Sequence, residues 1–359
     1  MELLGKSKGE LRELCGALGE PAYRGGQLYH AIYAERKFDL AQITNLPATL
    51  RERLTKEAAI TLPTVRQRYA STDGSVRYLF GLSATEEGKA RGATSVEAVF
   101  MPSDGRQTIC ISTQAGCAVD CQFCLTAQLG LIRNLTAGEI LAQVLLPLEE
   151  HKTELAGQTN IVLMGQGEPL LNFDAVMAAL HVLLDAEAIG ISPKHATLST
   201  SGIVPGIERL GQEKVRPKLA ISLNASNDEQ RNALMPINRK YPLEQLLAAC
   251  KHYPLRPWEH LTFEYVMLGG VNDSSEDARR VVRLLAPLKS VKVNLIPWNP
   301  GELPYRESSA KKIEEFRKSL VDRGVPAFVR YSRGRDVMAA CGQLALKDAS
   351  GATLPILPQ

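Results

Sequence analysis

From residue 108 onward, strand-like and helix-like segments alternate along the chain, and this alternation restricts the possible folds most. Six apolar, strand-like segments are each followed by a helix-like segment, and "PAFVRYSRGRD" comes last. The six are "TICISTQ", "TNIVLMG", "HATLSTSG", "PKLAISLNA", "LTFEYVMLGG" and "SVKVNLIPWNP". Such alternation is typical of a parallel sheet whose strands are joined by crossover helices. Six units rather than eight predict an α/β fold with an open or partial (β/α)6 barrel.

Two regions precede the predicted barrel. Residues 1–62 predict a small helical domain, because apolar residues recur at three- and four-residue spacing in "GELRELCGALG" and "LPATLRERLTKEA". Residues 63–107 predict a short β extension, because the period changes to two in "SVRYLFGL" and "TSVEAVFMP". A cysteine-bearing loop closes the barrel region at 108–346, and a tail follows at 347–359. The basic residues of the helical domain are typical either of a solvated face or of an RNA-docking module.

Composition excludes several classes of protein. With 45% hydrophobic and 23% charged residues in a chain of 359, the sequence is typical of a globular protein with an ample core. The start, "MELLGKSKGELRELCG", has no long apolar run, and no segment reaches the roughly 18 apolar residues of a membrane span. We therefore expect a cytoplasmic protein without membrane contact. The net charge of +3 permits a nucleic-acid partner without requiring one.

The cysteines indicate metal or redox chemistry. There are seven, an odd number, so a framework of structural disulfides is not expected. Cys15 and Cys250 lie in helix-like segments and are predicted to be small buried residues. Three more, Cys117, Cys121 and Cys124, fall within "GCAVDCQFC" at the spacing Cys-x3-Cys-x2-Cys.

Three thiolates are one short of a tetrahedral zinc site, which often uses two Cys-x2-Cys pairs, and no second pair follows. Three thiolates can instead hold three irons of a cubane iron–sulfur cluster and leave the fourth iron open to substrate. The loops after the other strands also carry polar residues, as expected for a catalytic edge of a parallel sheet. In "GQGEP", Gly165 and Gly167 allow close backbone approach and Glu168 can accept a hydrogen bond from an ammonium group.

Two further cysteines need an explanation. Cys110 lies on the first predicted barrel strand, and Cys341 lies in "RGRDVMAACGQL" among small residues. Taken separately, they are typical of a core cysteine and a loop thiol. Taken with the three-cysteine loop, they are typical of a redox and nucleophile pair. Arg333 and Arg335 are expected to favour the thiolate of Cys341 and to bind phosphate.

The cysteine spacing, the partial barrel and "GQGEP" resemble the radical S-adenosylmethionine (SAM) superfamily. Within it, the chain resembles the RlmN/Cfr family of ribosomal RNA adenine methyltransferases over essentially its whole length. The segments that carry the resemblance include "YRGGQLYHAIY", "VEAVFMP", "TICISTQAGCAVDCQFC", "LMGQGEPLLN", "LSTSG", "ISLNAS", "LMPINRKYPL", "LGGVND", "VNLIPWNP" and "RGRDVMAACGQL".

The resemblance implies a reaction with two molecules of SAM. A 4Fe-4S cluster on the three cysteines of the loop binds one SAM and cleaves it to a 5′-deoxyadenosyl radical. The other SAM has already methylated Cys341, and the radical takes a hydrogen from that methyl group. The carbon radical adds to adenine, Cys110 resolves the thioether by a disulfide with Cys341, and Glu97 removes the ring proton. The implied SAM contacts, with Ser201 as the alternative to the first serine, are Gly167, Glu168, Ser199, Ser222, Leu223, Asn224 and Asn299.

The resemblance also implies substrates and partners. They are an adenosine at the peptidyl-transferase centre of 23S rRNA, the adenosine 3′ of the anticodon in tRNA, and an electron donor such as flavodoxin or ferredoxin. We expect a monomer that receives a flipped base in the mouth of the barrel. The side chains expected to touch the RNA backbone are Arg239, Lys240, Arg333 and Arg335.

Other functions are compatible with parts of the pattern. A branch of the family methylates C8 of adenine and shares the cysteines, although "QAGCAVDC" and "FCLTAQ" look more like the C2 branch. A non-catalytic iron–sulfur or zinc RNA-binding protein would have no use for Cys110 and Cys341. A methylthiotransferase is disfavoured, because a second three-cysteine set is missing.

Overall fold

The computed structural model describes residues 1–83 and 94–346, so the predicted tail at 347–359 lies outside the described residues. The helices are α1 (Lys8–Ala17), α2 (Tyr23–Tyr33), α3 (Ala48–Glu57), α4 (Ala137–Glu150), α5 (Phe173–Leu184), α6 (Val204–Gln212), α7 (Asp228–Leu234), α8 (Leu243–His252), α9 (Ser275–Leu285) and α10 (Ala310–Val321). The strands are β1 (Thr64–Ala70), β2 (Val76–Leu82), β3 (Thr94–Ser103), β4 (Arg106–Cys110), β5 (Gln114–Gly116), β6 (Leu131–Asn134), β7 (Gln158–Leu163), β8 (Ala196–Thr200), β9 (Lys218–Ser222), β10 (Leu261–Met267), β11 (Val291–Pro297) and β12 (Ala327–Val329).

Ten strands form one sheet in the order β1-β2-β3-β4-β7-β8-β9-β10-β11-β12. Within this sheet the neighbouring strands from β4 through β7, β8, β9, β10 and β11 to β12 pair parallel, whereas β1 to β4 pair antiparallel and extend one edge. Each of the six predicted strands is followed by a helix, and β12 adds a last parallel strand after α10. The two end strands do not pair with each other, so the described sheet is open. The prediction of an α/β partial barrel is confirmed.

The barrel strands have one apolar and one polar face. On β9, Leu219 and Ile221 are buried in the main hydrophobic core, whereas Lys218 and Ser222 face the interior of the barrel. This follows from the two-residue period of a strand, since alternate side chains point to opposite faces of the sheet. The helices cover the apolar face, and the interior stays polar and open.

The helices α1–α3 pack against the barrel through specific polar contacts as well as through the core. The hydroxyl of Tyr29 donates to Asp185 at the end of α5 (2.9 Å), and Arg36 pairs with Glu149 of α4 (3.0 Å). Thus one of the basic residues of this region holds it to the barrel. Cys15 and Cys250 are buried, as predicted. Within the described ranges, no helix is both long and apolar enough to cross a membrane.

A small hairpin, β5 with β6, holds the cysteine loop between its strands. At Gly116, which has a φ of +72°, the two strands approach so closely that a Cβ would lie 1.8 Å from the carbonyl oxygen of Gly130. Only glycine fits such a contact. Predicting this hairpin from sequence would have required a pairing that spans the whole loop.

Close helix packing in the N-terminal region gives a stability prediction. A Cβ at Gly25 of α2 would lie 2.4 Å from the backbone of Leu11 in α1, so Gly25→Ala should lower the free energy of unfolding by about 2 kcal/mol or more. Gly16, also in α1, has nothing within 4 Å, so Gly16→Ala should be neutral or stabilising by up to about 1 kcal/mol. Urea unfolding followed by circular dichroism measures both. Equal effects of the two substitutions would contradict the packing.

Candidate active site at the carboxyl ends of the parallel strands

The three cysteines of the loop face one cavity. Cys117, Cys121 and Cys124 lie between β5 and β6, and all three contribute to the wall of a pocket at the carboxyl ends of the parallel strands. Phe123 and Trp298 form an apolar wall beside them, and the Trp298 indole donates to the Phe123 carbonyl (3.3 Å). The loops after β7, β8, β9 and β11, together with the strand β10 itself, complete the pocket, so residues distant in sequence meet there.

The chemistry of this wall fits an iron–sulfur cluster. Burial raises the pKa of all three thiols, so their thiolates need a strong cationic partner. Among the described residues, no three His, Cys, Asp or Glu side chains form a group able to hold a single metal ion. A cubane cluster binds each thiolate at a separate iron, whereas zinc gathers its ligands around one ion. The arrangement therefore suits a cluster better than a zinc ion.

The glycine-rich loop after β7 presents a carboxylate to the same cavity. Gly167 has a φ of +97°, and a Cβ there would lie 2.6 Å from the Gln114 side chain. The next residue, Glu168, accepts hydrogen bonds from the backbone and the hydroxyl of Ser201 (both 2.7 Å). Burial raises the pKa of Glu168, and the bonds from Ser201 oppose that rise. A fixed carboxylate of this kind suits the ammonium group of an amino acid.

Four other predicted SAM contacts also line this cavity: Ser199, Ser222, Asn224 and Asn299. Ser199 donates to Glu264 (2.8 Å), and its hydroxyl lies 3.4 Å from that of Ser222. The Asn299 amide donates to the Cys341 carbonyl (3.0 Å) and so joins the pocket to the C-terminal loop. Ser201, the alternative to Ser199, lines the cavity as well.

Leu223 is placed differently from the other predicted SAM contacts. Its side chain is fully buried in the hydrophobic core and does not line the cavity. Its backbone N–H donates to the Glu264 carbonyl (2.9 Å), and its own carbonyl accepts from Arg231 (3.2 Å). The side chain of Leu223 therefore anchors the strand end that presents its neighbours.

Cys110 and Cys341 share a second cavity of about 630 Å³. It adjoins the first, because Cys341, Cys124 and Glu264 contribute to the walls of both. Both Cys110 and Cys341 are free thiols. Burial raises the pKa of Cys110, and a charge on Cys341 raises it further, as expected for neighbouring thiols. The structure thus brings the predicted pair together beside the three-cysteine wall.

The expectation that Arg333 and Arg335 would activate Cys341 is wrong. Arg333 donates to the carbonyls of Asp73 and Pro102, and Arg335 pairs with Glu307 (3.1 Å). Although Cys341 is an exposed residue, desolvation by the protein atoms around its thiol and the Glu264 carboxylate raise the pKa of that thiol to about 11. The two guanidinium groups hold the loop in place. Because its pKa is raised, the thiol of Cys341 is largely protonated at neutral pH before a cofactor binds.

The Cys341 loop is tied to the turn between β1 and β2. Asp336 accepts from the Ser71 hydroxyl (2.6 Å) and the Thr72 backbone (3.0 Å), and Asp73 accepts from the Gly334 backbone (2.9 Å). We call these contacts, together with those of Arg333, the loop latch. They join residues some 260 positions apart and fix the loop that carries Cys341.

Glu97 lies beside the pair but not on the cavity surface. Its side chain is fully buried, pairs with Arg77 (2.7 Å) and accepts from the Leu346 backbone (2.9 Å). Burial raises the pKa of Glu97 to about 7, and the Arg77 charge opposes the rise. The segment 344–346 covers the carboxylate, so Glu97 reaches a substrate only when that segment moves.

Sequence reasoning did not single out Glu264 or Arg231, which are both buried charged residues. Glu264 on β10 lines both cavities, and burial raises its pKa. Arg231 of α7 is fully buried and donates to the carbonyls of Ser201 (2.6 Å) and Ser222 (3.1 Å). An acidic residue inside the apolar strand "LTFEYVMLGG" was the available signal for Glu264. Arg231 left no such signal, since it lies in a polar helix.

Comparisons with known proteins agree with this geometry. The profile of the Radical SAM superfamily matches residues 111–284, and that of the ribosomal RNA large subunit methyltransferase N-terminal domain matches residues 1–60. A probable dual-specificity RNA methyltransferase RlmN from Koribacter versatilis is 52% identical, covering 91% of this chain and 96% of the relative. A dual-specificity RNA methyltransferase RlmN from an Anaeromyxobacter species is 46% identical, covering 95% and 89%. The crystal structure of a radical SAM methyltransferase from Sphaerobacter thermophilus superposes with a TM-score of 0.87 at 42% identity, covering 96% and 99%.

The loop latch gives a prediction that needs no cofactor. Asp73→Ala should raise the rate of backbone hydrogen exchange in the segment 334–342 of the apoprotein roughly threefold to tenfold, because it removes bonds that oppose local opening of the loop. Hydrogen–deuterium exchange followed by peptide mass spectrometry measures this rate. Asp322→Ala, which removes an exposed partner of Lys318 on α10, is the matched control and should leave the rate unchanged. An unchanged rate in Asp73→Ala would show that the latch does not hold the loop.

Proposed function

This chain belongs to the RlmN family of radical SAM RNA methyltransferases, and from that premise we propose that it methylates C2 of adenosine in RNA. The substrates are an adenosine at the peptidyl-transferase centre of 23S rRNA and the adenosine 3′ of the anticodon in tRNA. The curated relatives that the chain resembles carry the name dual-specificity RNA methyltransferase. The chain covers most of their length, so the proposal concerns the whole activity.

The position of Cys341 is the observation that carries the proposal. This thiol lies in the wall shared by the three-cysteine cavity and the cavity of Cys110. A thiol placed there can receive a methyl group, present it for hydrogen abstraction and then pair with Cys110. A methyl donor that only needed to reach RNA would require neither the second cysteine nor the adjoining cavity.

Separate groups of residues bind the cluster, bind SAM and exclude water. When bound at Cys117, Cys121 and Cys124, the cluster with SAM supplies the one-electron chemistry and the methyl group. Glu168 accepts from the SAM amine, and the polar side chains after β8, β9 and β11 hold the rest of the molecule. The neighbouring apolar wall of Phe123 and Trp298 excludes water.

Cys110 and Glu97 complete the reaction. The Cys110 sulfur attacks the Cys341 sulfur, so the disulfide forms as the bond between the Cys341 sulfur and the carbon on the RNA breaks, and that carbon takes up a proton to become the methyl group. Glu97 takes the proton from the adenine ring after the segment 344–346 has moved aside. The ordinary pKa of a glutamate would leave a weak base, whereas the raised value of about 7 suits proton transfer near neutral pH.

The partners follow from the same activity. We propose that a flavodoxin or ferredoxin supplies the electron, that the protein acts as a monomer, and that it works in the cytoplasm, where its RNA substrates are.

We further propose that residues 1–62 form an accessory domain that docks RNA. This is supported by the match of residues 1–60 to an N-terminal domain of ribosomal RNA methyltransferases. Methylation at C8 is the alternative, and the RlmN relatives do not favour it.

Two cysteine substitutions test the proposed roles. Cys341→Ala should abolish RNA methylation, because it removes the group that carries the methyl. Cys110→Ala should accumulate a covalent protein–RNA adduct, because the thioether is no longer resolved. Denaturing gels with labelled RNA and SAM detect both outcomes. Cys250→Ala, at a buried cysteine of α8 away from both cavities, is the control and should retain methylation and form no adduct.

The pKa of Glu97 predicts a pH dependence. The carboxylate is the active base, and its fraction rises with pH through the raised pKa of about 7. Release of the methylated RNA in a single turnover should therefore accelerate from about pH 6 to about pH 8, with its midpoint near that pKa. Because the folded pKa is raised, the stability of the fold should also fall as the pH rises from about 4.5, the ordinary pKa of a glutamate, to about 7. In Glu97→Gln the release should be slow at every pH; a variant that kept the wild-type rate and profile would remove Glu97 from the mechanism.

A further inference from the structure

The cavity that contains Cys110 and Cys341 continues through the barrel toward the amino-terminal ends of the parallel strands. Its wall there consists of the inward-facing side chains of the first strand residues, among them Thr108, Asn160, Thr197 and Thr262. Register places Thr108 beside Asn160 on the neighbouring strand. Hydroxyl and amide groups thus line a passage that packed side chains would fill in a closed barrel.

Cations gather in this part of the passage. Lys218 on β9 and Lys292 on β11 are half-buried and face the cavity, and Arg106, Lys194 and Arg330 stand around them. Strand register places the two lysines on either side of β10: Thr262 of β10 pairs with Lys292 on β11 and with Ala220 on β9, and Lys218 lies two residues before Ala220 on the same face of β9.

Among the described residues, the two lysines have no carboxylate in direct contact, although Glu259, which pairs with Arg256, favours the charged form of Lys218 and Glu264 lines another part of the same cavity. Within residues 1–83 and 94–346, neither Lys218 nor Lys292 forms an ion pair, and Arg330 donates only to the Asn294 side chain (3.2 Å). Burial lowers the pKa of both lysines, and each is lowered further by a neighbouring cation, Lys292 for the first and Arg330 for the second. Like charges held together in a partly buried passage are costly unless an anion binds between them.

We propose that Lys218 and Lys292, with the cations around them, bind the phosphodiester backbone of the RNA beside the target adenine. This inference rests on the proposed function and adds to it a second contact region, inside the barrel rather than at its outer mouth. The neutral hydroxyls and amides offer hydrogen bonds to ribose and phosphate oxygens. The passage therefore binds the RNA backbone without distinguishing one base from another. From there the chain of the RNA leads directly to Cys341.

The geometry favours this region over the arginines of the Cys341 loop. Arg333 and Arg335 already donate to groups of the protein itself, whereas Lys218 and Lys292 have their donors free toward the cavity. Single-stranded nucleotides beside a flipped base are narrow enough to follow such a passage, whereas an intact duplex is not.

The test measures RNA affinity and its dependence on salt. The double variant Lys218→Gln/Lys292→Gln should bind a fluorescein-labelled anticodon stem-loop RNA about tenfold or more weakly, with a salt slope smaller by roughly one to two. Fluorescence anisotropy at several KCl concentrations gives both quantities. The matched control, Lys311→Gln/Lys318→Gln on the outer face of α10, changes the net charge equally and should bind like the wild type.

A second measurement uses the unaltered protein and so does not depend on folding of a variant. RNA should protect Lys218 and Lys292 from acylation by an N-hydroxysuccinimide ester, as read by peptide mass spectrometry, and should leave Lys311 unprotected. Unchanged labelling of Lys218 and Lys292, or a double variant with the affinity and slope of the control, would overturn the proposal.

The two proposals fail in different ways. If the wild type methylates RNA while the lysine variant binds like the control, the proposed binding site for the RNA backbone is wrong and the proposed function stands. If the lysine variant binds weakly but the wild type transfers no methyl group, the backbone site stands and the function is wrong.

Discussion

A buried guanidinium holds together the strand ends on which the active site is built. Arg231 donates to the carbonyls of Ser201, Ser222 and Leu223 and to the side chain of Asn238, all within 3.2 Å. These carbonyls lie at or just beyond the ends of β8 and β9, where the sheet no longer supplies partners. The bonds from Arg231 add to those that Val266 and Asn272 make with Asn224, and together they fix the loops after β8 and β9.

The charge of Arg231 is as important as its hydrogen bonds. Its four acceptors are uncharged, so the guanidinium keeps a positive charge that is not neutralised by direct contact. Burial lowers its pKa to about 10, which still leaves it charged at neutral pH, and a thiolate at Cys121 favours that charge. A buried cation of this kind offsets the negative charge of three thiolates brought together. The cysteine wall and Arg231 are therefore parts of one electrostatic unit.

Local patterns in the sequence were sufficient for the fold and for most of the cavity. Two-residue and helical periods predicted the barrel strands and most of the helices, and the loops after the strands were expected to meet, as Glu168, Ser222 and Asn299 do. What local patterns did not contain were partners far along the chain. Arg333 was expected near Cys341 because it is close in sequence, but Asp73 holds it elsewhere. Likewise, Leu346 covers Glu97 across 249 positions.

Analysis of the nucleosides in cellular RNA decides whether this site methylates adenine at C2. A bacterial strain that lacks its own adenine-C2 methyltransferase would be complemented with this chain, and its ribosomal and transfer RNA would be digested and analysed by mass spectrometry. We expect 2-methyladenosine in both RNAs and none in a strain that carries the Cys341→Ala variant. Finding 8-methyladenosine without 2-methyladenosine would contradict this expectation.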